Sequence, residues 1–447
     1  MESGPSLLEN PAELETAPEE RKQARPTRPA PSFAGDVARI HKVLSTVLEP
    51  TPLQRNQYLS DLYKADIWLK REDLTPVRSY KMRGAYAFLS EALEADPDTD
   101  LFVCSSAGNH AQGFAFACRH FGKRGVVFMP VTTPDQKINK TRSFGAPLVE
   151  IRLIGDGFDA ANAAAMAFCE ENNGKLVPPF NHPMIIRGQA TVGKEILEQS
   201  PPGKDWDRII MAVGGGGLSA GISRYFQDVG ATADFTFVEP DNAPSLYESL
   251  KAGSLVTLEE VDNFVDGAAV ARIGEENFKQ LSQFSPDDVV LTPTGGLCAT
   301  MLDMLNIEGV VVEPAGALTV DALQRLPREM VEGKSIVCVV SGGNFDFERL
   351  PDVKERALQY IGLKKYYVIQ MPQRPGALKD FLSILGPNDD IARFEYLKKS
   401  ARNFGSVLIG IETTAPENFK SLTDRFDENG IRWQDLTDNE AIANFVI

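Results

Sequence analysis

The chain predicts an α/β fold in two parts, a large domain built on parallel sheets and a C-terminal βαββαβ unit. Two features of the 447-residue sequence carry this expectation. Over residues 33–350, short β-branched runs alternate with longer segments of helical period, the pattern of strands joined by helical crossovers. From residue 366 the order changes to strand, helix, strand, strand, helix, strand, which is the split ferredoxin-like arrangement.

Taken in order, residues 1–32 are rich in Pro, Glu and Ala and read as a disordered lead-in. They lack both the apolar core of a signal peptide and the Arg-rich, acid-poor character of a transit peptide. The clearest strands of the large domain, 33–350, are 101–104, 126–129, 148–151, 209–213, 235–239 and 336–340, with helices over 111–120, 158–171 and 218–229. Residues 351–365 read as a charged helical linker. The C-terminal unit, 366–447, is expected as strand 366–371, turn 372–376, helix 377–385, strands 391–397 and 407–412, helix 416–428 and strand 431–434.

Composition narrows the function classes. A hydrophobic fraction of 43% and a charged fraction of 24% are those of an ordinary globular protein. The net charge of −16, from 46 Lys and Arg against 62 Asp and Glu, repels nucleic-acid phosphates and anionic membrane surfaces. Any phosphate ligand must therefore be held locally. No apolar run approaches the roughly 20 residues that span a bilayer. Cys104, Cys118, Cys169, Cys298 and Cys338 lack CxxC spacing and make a poor disulfide framework, which fits a reducing, cytoplasmic setting. With only His41, His110, His120 and His182 available, neither a Ser-His-Asp triad nor a His-rich metal site is readily built.

Four stretches carry chemistry. Gly214, Gly215, Gly216 and Gly217 follow an expected strand and precede a helix starting near Leu218. Glycine lets the backbone approach a ligand closely, and a helix start offers unpaired N–H groups and the positive end of the dipole. Phosphate is the natural occupant. A merely flexible loop is the alternative, and contiguous glycines fit a dinucleotide fingerprint less well. The second stretch is Ser79-Tyr80-Lys81-Met82-Arg83-Gly84, downstream of Lys70-Arg71-Glu72-Asp73. A lysine amine becomes able to form a Schiff base when desolvation or a cationic neighbour, here Arg83, favours its neutral form. On its own, Lys81 would be read as a solvated surface lysine.

The third stretch, Ser105-Ser106-Ala107-Gly108-Asn109-His110, lies between a strand and an alanine-rich helix. Its N–H groups and hydroxyls suit a carboxylate, although Asn109 also suits a plain helix N-cap. His110 reads as a structural residue beside the loop rather than a base. The fourth is Ser341-Gly342-Gly343-Asn344, just past the strand at 336–340, where a hydroxyl could donate to a ring nitrogen and glycines make room for a flat ring. Polar strand ends on one edge of an α/β sheet reinforce one another, because ligands collect there.

Together and in this order, these pieces resemble the fold-type-II pyridoxal-phosphate enzymes, which share the architecture of the tryptophan synthase β subunit, and in particular the biosynthetic threonine dehydratases (threonine ammonia-lyases). The resemblance runs from about Thr51 to the C-terminus. It rests jointly on Lys-Arg-Glu-Asp (70–73), Ser-Tyr-Lys-Met-Arg-Gly-Ala-Tyr (79–86), Ser-Ala-Gly-Asn-His-Ala-Gln-Gly (106–113), Gly-Gly-Gly-Gly-Leu (214–218), Val-Glu-Pro-Ala-Gly-Ala-Leu (312–318) and Ser-Gly-Gly-Asn (341–344). It implies a catalytic domain of two parallel-sheet lobes and pyridoxal 5'-phosphate as cofactor. The implied reaction is dehydration and deamination of L-threonine, with L-serine a further candidate, to 2-oxobutanoate and ammonia at the first step of isoleucine biosynthesis.

The same resemblance implies that Lys81 is the catalytic residue and covalent anchor of the cofactor, and that Asn109 bonds its phenolic oxygen. It implies that the backbone of Gly214, Gly215, Gly216, Gly217 and Leu218 holds the phosphate, and that Ser341 faces the pyridine nitrogen. Ser106, Gly108 and His110 fall on the family's carboxylate-binding loop. No metal ligand set is implied: related serine racemases place an acidic cation ligand where this chain has Ser245, which leaves only a weaker ion contact through Glu239. Tyr80 stands where the family often has Phe. Glu313 lies near the site or caps a backbone, and both readings stay open.

The C-terminal unit, with Arg374-Pro375-Gly376-Ala377-Leu378 turning into a helix, resembles the family's ACT-like regulatory domain, in the short form with one copy. The family analogy implies feedback by isoleucine, relief by valine and a homotetramer. Competing readings are a catabolic serine/threonine dehydratase, a serine racemase, a β-replacement enzyme such as cysteine synthase, and a non-catalytic amino-acid-sensing protein. The regulatory unit opposes the first two, the residues after Lys81 the third, and the intact motifs the last.

Overall fold

The structure, a computed structural model, describes residues 32–397, 403–437 and 439. Residues 1–31 of the expected lead-in lie outside the described residues. The strands in chain order are β1 (Leu53–Arg55), β2 (Asp66–Arg71), β3 (Leu101–Ser105), β4 (Arg124–Met129), β5 (Val149–Leu153), β6 (Lys175–Leu176) and β7 (Arg208–Ala212). They continue with β8 (Asp234–Pro240), β9 (Val289–Thr292), β10 (Ser335–Val340), β11 (Lys364–Pro372), β12 (Asp390–Leu397), β13 (Phe404–Glu412) and β14 (Trp433–Asp435). They form three sheets, ordered β1-β2-β10-β7-β8-β9, β5-β4-β3-β6 and β12-β13-β11-β14.

Every pairing in the first two sheets is parallel except β1 with β2, an antiparallel edge pair. A parallel strand covered by helices on both faces must be apolar throughout. β3 is buried along its whole length and β10 at all but its first residue. β1, only three residues long, is too short to show any alternation. The small sheet is inserted in the chain between β2 and β7, so β2 pairs directly with the distant β10, Ile67 opposite Ile336 and Arg71 opposite Val340. That pairing brings the segment leading to Lys81 against the segment holding Ser341.

The helix Lys81–Ala95 packs on the helices Asn109–His120 and Pro183–Glu198. Gly113 permits the first contact: a β-carbon there would lie 2.8 Å from Met82 Cα.

The third sheet is antiparallel throughout and, with its two helices, has the expected βαββαβ order. Alternate residues Tyr367, Ile369 and Met371 of β11 and Val407, Ile409 and Ile411 of β13 meet Phe381, Phe419, Leu422 and Phe426 from the helices. The first of those helices, Ala377–Leu382, stops three residues before the expected 385. Its last turn tightens, with Ile384 N–H bonding Phe381 O at 3.0 Å and Ser383 Oγ donating to Asp380 O at 2.6 Å. Between the two parts, the helix Leu350–Tyr360 packs on Thr294–Asn306. Glu355 ties it to β11 by accepting from Lys364 Nζ at 2.6 Å and Tyr366 OH at 2.8 Å.

Candidate active site

Lys81 is the first residue of its helix, and the turn into it is bent by Arg78. Arg78 has φ of +62°, a left-handed conformation that costs a non-glycine residue about 1–3 kcal/mol. The bend is held by the loop after β10: Tyr80 N–H donates to Ser341 O at 3.2 Å, and Gly343 N–H donates to Arg78 O at 2.9 Å. The lysine and Ser341 loops are therefore joined by backbone bonds. Lys81 is half-buried, its Nζ donating to Pro179 O at 3.4 Å and standing 5.1 Å from the Tyr80 ring centroid and 5.9 Å from that of Phe180. Ser341 is buried, with Oγ donating to Ala315 O at 3.2 Å.

The glycine run leads from β7 into the helix Gly217–Asp228. Gly216 has φ of +86°, which explains why no side chain is carried there. The N–H groups of Gly214, Gly215, Gly216, Gly217 and Leu218 find no acceptor among the described residues, because they precede or open the helix. Behind the loop, Asn277 Nδ2 donates to Gly215 O at 2.5 Å and Gly274 N–H donates to the same oxygen at 3.2 Å. In front stands Phe180, so close that a β-carbon on Gly215 would lie 2.2 Å from its Cγ. Phe180 thus touches the glycine loop and borders Lys81. Sequence reasoning missed Phe180 and Asn277, and neither lies in a recognisable motif.

Asn109 is the first residue of its helix, with Gly108 in the capping position, so its side chain is not the N-cap. Instead Nδ2 donates to Glu313 Oε1 at 2.6 Å, and Oδ1 accepts from Asn344 Nδ2 at 2.7 Å. Glu313 immediately precedes the helix Pro314–Asp321 but makes no side-chain cap bond, which removes the capping reading of this residue. Burial above all, and then Asp266, push its carboxyl up to about 7, against the opposing pull of Asn109, Lys137 and Lys140.

In the loop before Asn109, Ser106 N–H pairs with Phe128 O at 3.1 Å, and Ser106 Oγ accepts from Gly108 N–H at 3.2 Å. Among the described residues, the N–H groups of Ala107, Asn109, His110 and Ala111 have no acceptor, and free donors of this kind suit a carboxylate. His110 is buried, and burial lowers its pKa to about 4. Its neutral ring donates from Nε2 to Val177 O at 2.9 Å, fastening the helix start to the segment after β6.

One expectation is corrected. Arg83 does not serve as the cationic neighbour of Lys81. Its guanidinium is fully buried and forked onto two carboxylates, Glu72 at 2.8 and 2.9 Å and Glu195 at 2.6 and 2.9 Å. A residue two positions along a helix points to a different face, and there two acids compensate its charge. Glu239 is likewise occupied: its carboxylate accepts from Leu246 N–H at 2.8 Å, Tyr247 N–H at 2.9 Å and Ser245 Oγ at 3.4 Å. Burial is the main force pushing it up to about 8, and it caps the helix Ser245–Ala252.

The family model for pyridoxal-phosphate dependent enzymes matches residues 44–342, and that for the C-terminal regulatory domain of threonine dehydratase matches 355–446. The biosynthetic L-threonine dehydratase of Bacillus subtilis (strain 168) is 43% identical over 412 residues, covering 92% of this chain and 96% of that one. The chain belongs to the biosynthetic threonine dehydratases. Its counterpart in Staphylococcus epidermidis is 44% identical over 418 residues, 92% of this chain and 98% of that one. Among solved structures, the processed form of threonine deaminase isoform 2 from Solanum lycopersicum is similar with a TM-score of 0.67 and 33% identity, covering 73% of this chain and 87% of that one. A second threonine deaminase structure, that of the T.th. enzyme, has a TM-score of 0.63 and 31% identity over 70% of this chain and 98% of that one.

Membership makes the chain a pyridoxal-phosphate-dependent lyase, and the residues present fit that cofactor. The unpaired N–H groups at 214–218 suit a phosphate, and Asn109 keeps one amide hydrogen beyond the one given to Glu313. The glycines at 316 and 342 let Glu313 and the loop after β10 pack closely beside Ser341, since an added β-carbon would lie 2.1 Å from Gly342 O and Glu313 Oε1 respectively. No helix among the described residues is long and apolar enough to cross a membrane.

Proposed function

We propose that this chain converts L-threonine to 2-oxobutanoate and ammonia at Lys81, and that isoleucine acting on the C-terminal unit inhibits the reaction while valine relieves it. The observation that carries the reading is the joining of the Lys81 loop to the Ser341 loop by backbone bonds, with Phe180 bordering both the lysine and the glycine run. When bound, the cofactor supplies an electron sink that makes the substrate Cα proton acidic. Lys81 would hold the cofactor, and its Nζ, when free, is the amine placed to take the Cα proton. The free N–H groups of Ala107, Asn109 and His110 grip the substrate carboxylate and hold the Cα–H bond toward that amine. The β-hydroxyl leaves as water, the proton removed from Cα balancing the one it carries away, and hydrolysis of the nitrogen-bearing product releases ammonia.

Ser341, a neutral hydroxyl, faces the ring nitrogen in this reading and places no charge there. A homotetramer is the proposed assembly, since a regulatory unit needs an interface through which to couple sites. L-Serine is a second candidate substrate. The test is release of 2-oxobutanoate from threonine by the purified protein, with and without isoleucine, beside Lys81→Ala. The variant should lose both turnover and the visible band of bound cofactor. Parental turnover in Lys81→Ala would overturn the assignment, and indifference to isoleucine would overturn the effector.

A further inference from the structure

Glu313 is the buried acid that the reaction above leaves without a task. Its surroundings are specific. Oε1 accepts from Asn109 Nδ2 at 2.6 Å, and the carboxyl presses on the loop after β10 so closely that a β-carbon on Gly342 would lie 2.1 Å from Oε1. On the far side of Asn109 the bonding continues: Asn344 Nδ2 donates to Asn109 Oδ1 at 2.7 Å and to Val77 O at 2.9 Å, and Lys140 Nζ donates to Asn344 Oδ1 at 3.2 Å.

The sense of this chain is set at both ends. An ammonium can only donate, so Asn344 must turn its oxygen to Lys140; a backbone carbonyl can only accept, so Val77 independently demands the Asn344 amide nitrogen. Asn109 must then present its oxygen to Asn344 and its NH2 group to Glu313. One hydrogen of that group is given to the carboxylate and the other is left for a ligand.

We propose that Glu313 is a positioning residue, which holds the Asn109 carboxamide with its second amide hydrogen aimed at the phenolic oxygen of the bound cofactor. The proposal rests on the reading of Asn109 as that oxygen's partner. Without Glu313, the Asn109 NH2 group loses its only acceptor among the described residues, and the amide is held by Asn344 alone. A hydrogen bond to a charged group contributes on the order of tenfold or more to an equilibrium.

Glu313 also titrates near neutrality, since burial and then Asp266 raise it to about 7 while Asn109, Lys137 and Lys140 oppose them. Lys137 and Asp266 bond each other, and Lys140 is held by Asn344, so these charges face Glu313 from the helix Asp135–Gly145 and the segment at 266. Its charge is therefore expected in the absorption band of the bound cofactor, which shifts with the electrostatics of the phenolic oxygen.

The experiment uses holoenzyme for spectra from pH 6 to 9, and resolved apoenzyme titrated with pyridoxal phosphate for affinity. Parent, Glu313→Ala, Glu313→Gln, Asn109→Ala and the Asn109→Ala/Glu313→Ala double variant are compared. Glu313→Ala should weaken cofactor binding about tenfold and displace the band. Glu313→Gln, which keeps an acceptor oxygen for Asn109, should restore affinity to within about threefold of the parent but flatten the pH dependence of the band around 7. The double variant should bind no worse than Asn109→Ala, since Glu313 acts through Asn109. Parental affinity and band in Glu313→Ala, or multiplying losses in the double variant, would overturn the proposal. If Glu313→Ala does not fold, a Glu313→Gln band that keeps the parental pH dependence overturns it instead. An unchanged Asn109→Ala variant removes the Asn109 reading and the proposal together, and because no substrate is present, the threonine assignment is tested separately.

Discussion

Replacing Arg83 with Met removes one partner from a buried cluster that has no water to fall back on. Arg83, Glu72, Glu195 and Lys70 are all essentially without solvent exposure. Arg83 donates twice to each carboxylate and also to Thr191 at 3.1 Å, while Lys70 Nζ reaches Glu195 at 2.6 Å, Thr51 O at 2.6 Å and Gln199 at 2.9 Å. Methionine would fill most of the volume but leave two buried acids facing one lysine and His41, whose Nε2 is 3.4 Å from Glu195. Breaking such a pair costs about 3–5 kcal/mol, and for a domain of this size each kcal/mol lowers Tm by roughly 2 °C, so the expected loss is about 6–10 °C near neutral pH.

The pH dependence of that loss has a definite sign. In the parent, burial favours the protonated form of Glu195, but Arg83, His41 and Lys70 outweigh it and hold the carboxyl well below its ordinary range. The contribution of Glu195 is therefore full above the ordinary carboxylate pKa and is lost only as pH falls through the depressed value. Without Arg83, burial dominates and a proton is taken up at higher pH, relieving the uncompensated charge. Thermal unfolding, followed by far-UV circular dichroism and by loss of the cofactor band, should show the largest deficit at pH 8 and a smaller one at pH 5. A deficit below about 1 kcal/mol, or one equal at both pH values, would refute the reasoning.

Gly216→Ala forces a side chain to φ of +86°, at a cost of about 1–2 kcal/mol, and should raise the cofactor dissociation constant about tenfold in a titration of apoenzyme. Ser341→Ala removes the bond to Ala315 O and should cost about 1 kcal/mol in denaturant unfolding while shifting the visible band of the holoenzyme. An unshifted band would separate Ser341 from the cofactor ring.

The parts of the fold legible in the sequence are those whose cause is local. A strand buried on both faces must be apolar along its length, so 126–129 and 336–340 declare themselves. β2 does not, because it ends in Lys70 and Arg71; a buried lysine is tolerable there only through Glu195 and Thr51, whose contacts the fold supplies. β6 is two residues long and carries no period. The site divides in the same way. Glycines that need positive φ, and small polar residues after strands, stand out in the chain itself. The bond from Asn109 to Glu313 spans 204 positions, and the approach of Phe180 to Gly215 likewise exists only once the lobes are packed. Arg83 misleads for the converse reason: adjacency in sequence to Lys81 does not place two side chains on one face of a helix.

Within one chain, the C-terminal unit can bias the site through groups that touch both and have more than one arrangement. At the end of the linking helix, the Tyr360 ring covers the start of the helix Thr294–Asn306, where a β-carbon on Gly295 or Gly296 would lie 2.6 or 3.1 Å from Tyr360 atoms. Its hydroxyl meets Arg325 Nη2 at 3.3 Å, and Arg325 Nε donates to Asp321 at 2.6 Å. Asp321 ends the eight-residue helix Pro314–Asp321, whose other end follows directly from Glu313. A shift of the linking helix would therefore bear on one end of this short helix, whose other end is preceded by Glu313, the partner of Asn109. Coupling free energies between sites are typically about 1–3 kcal/mol, roughly fivefold or more in substrate affinity. Tyr360→Ala should keep kcat/KM for threonine within about twofold when no effector is present, because it removes nothing that touches substrate. With isoleucine as the effector proposed above, it should at least halve the free energy by which saturating isoleucine weakens threonine binding, and by linkage the effect of threonine on isoleucine affinity should fall by the same amount. Threonine saturation curves at several isoleucine concentrations measure the first, and calorimetric isoleucine titrations the second. Full parental inhibition in Tyr360→Ala would exclude this contact as the route.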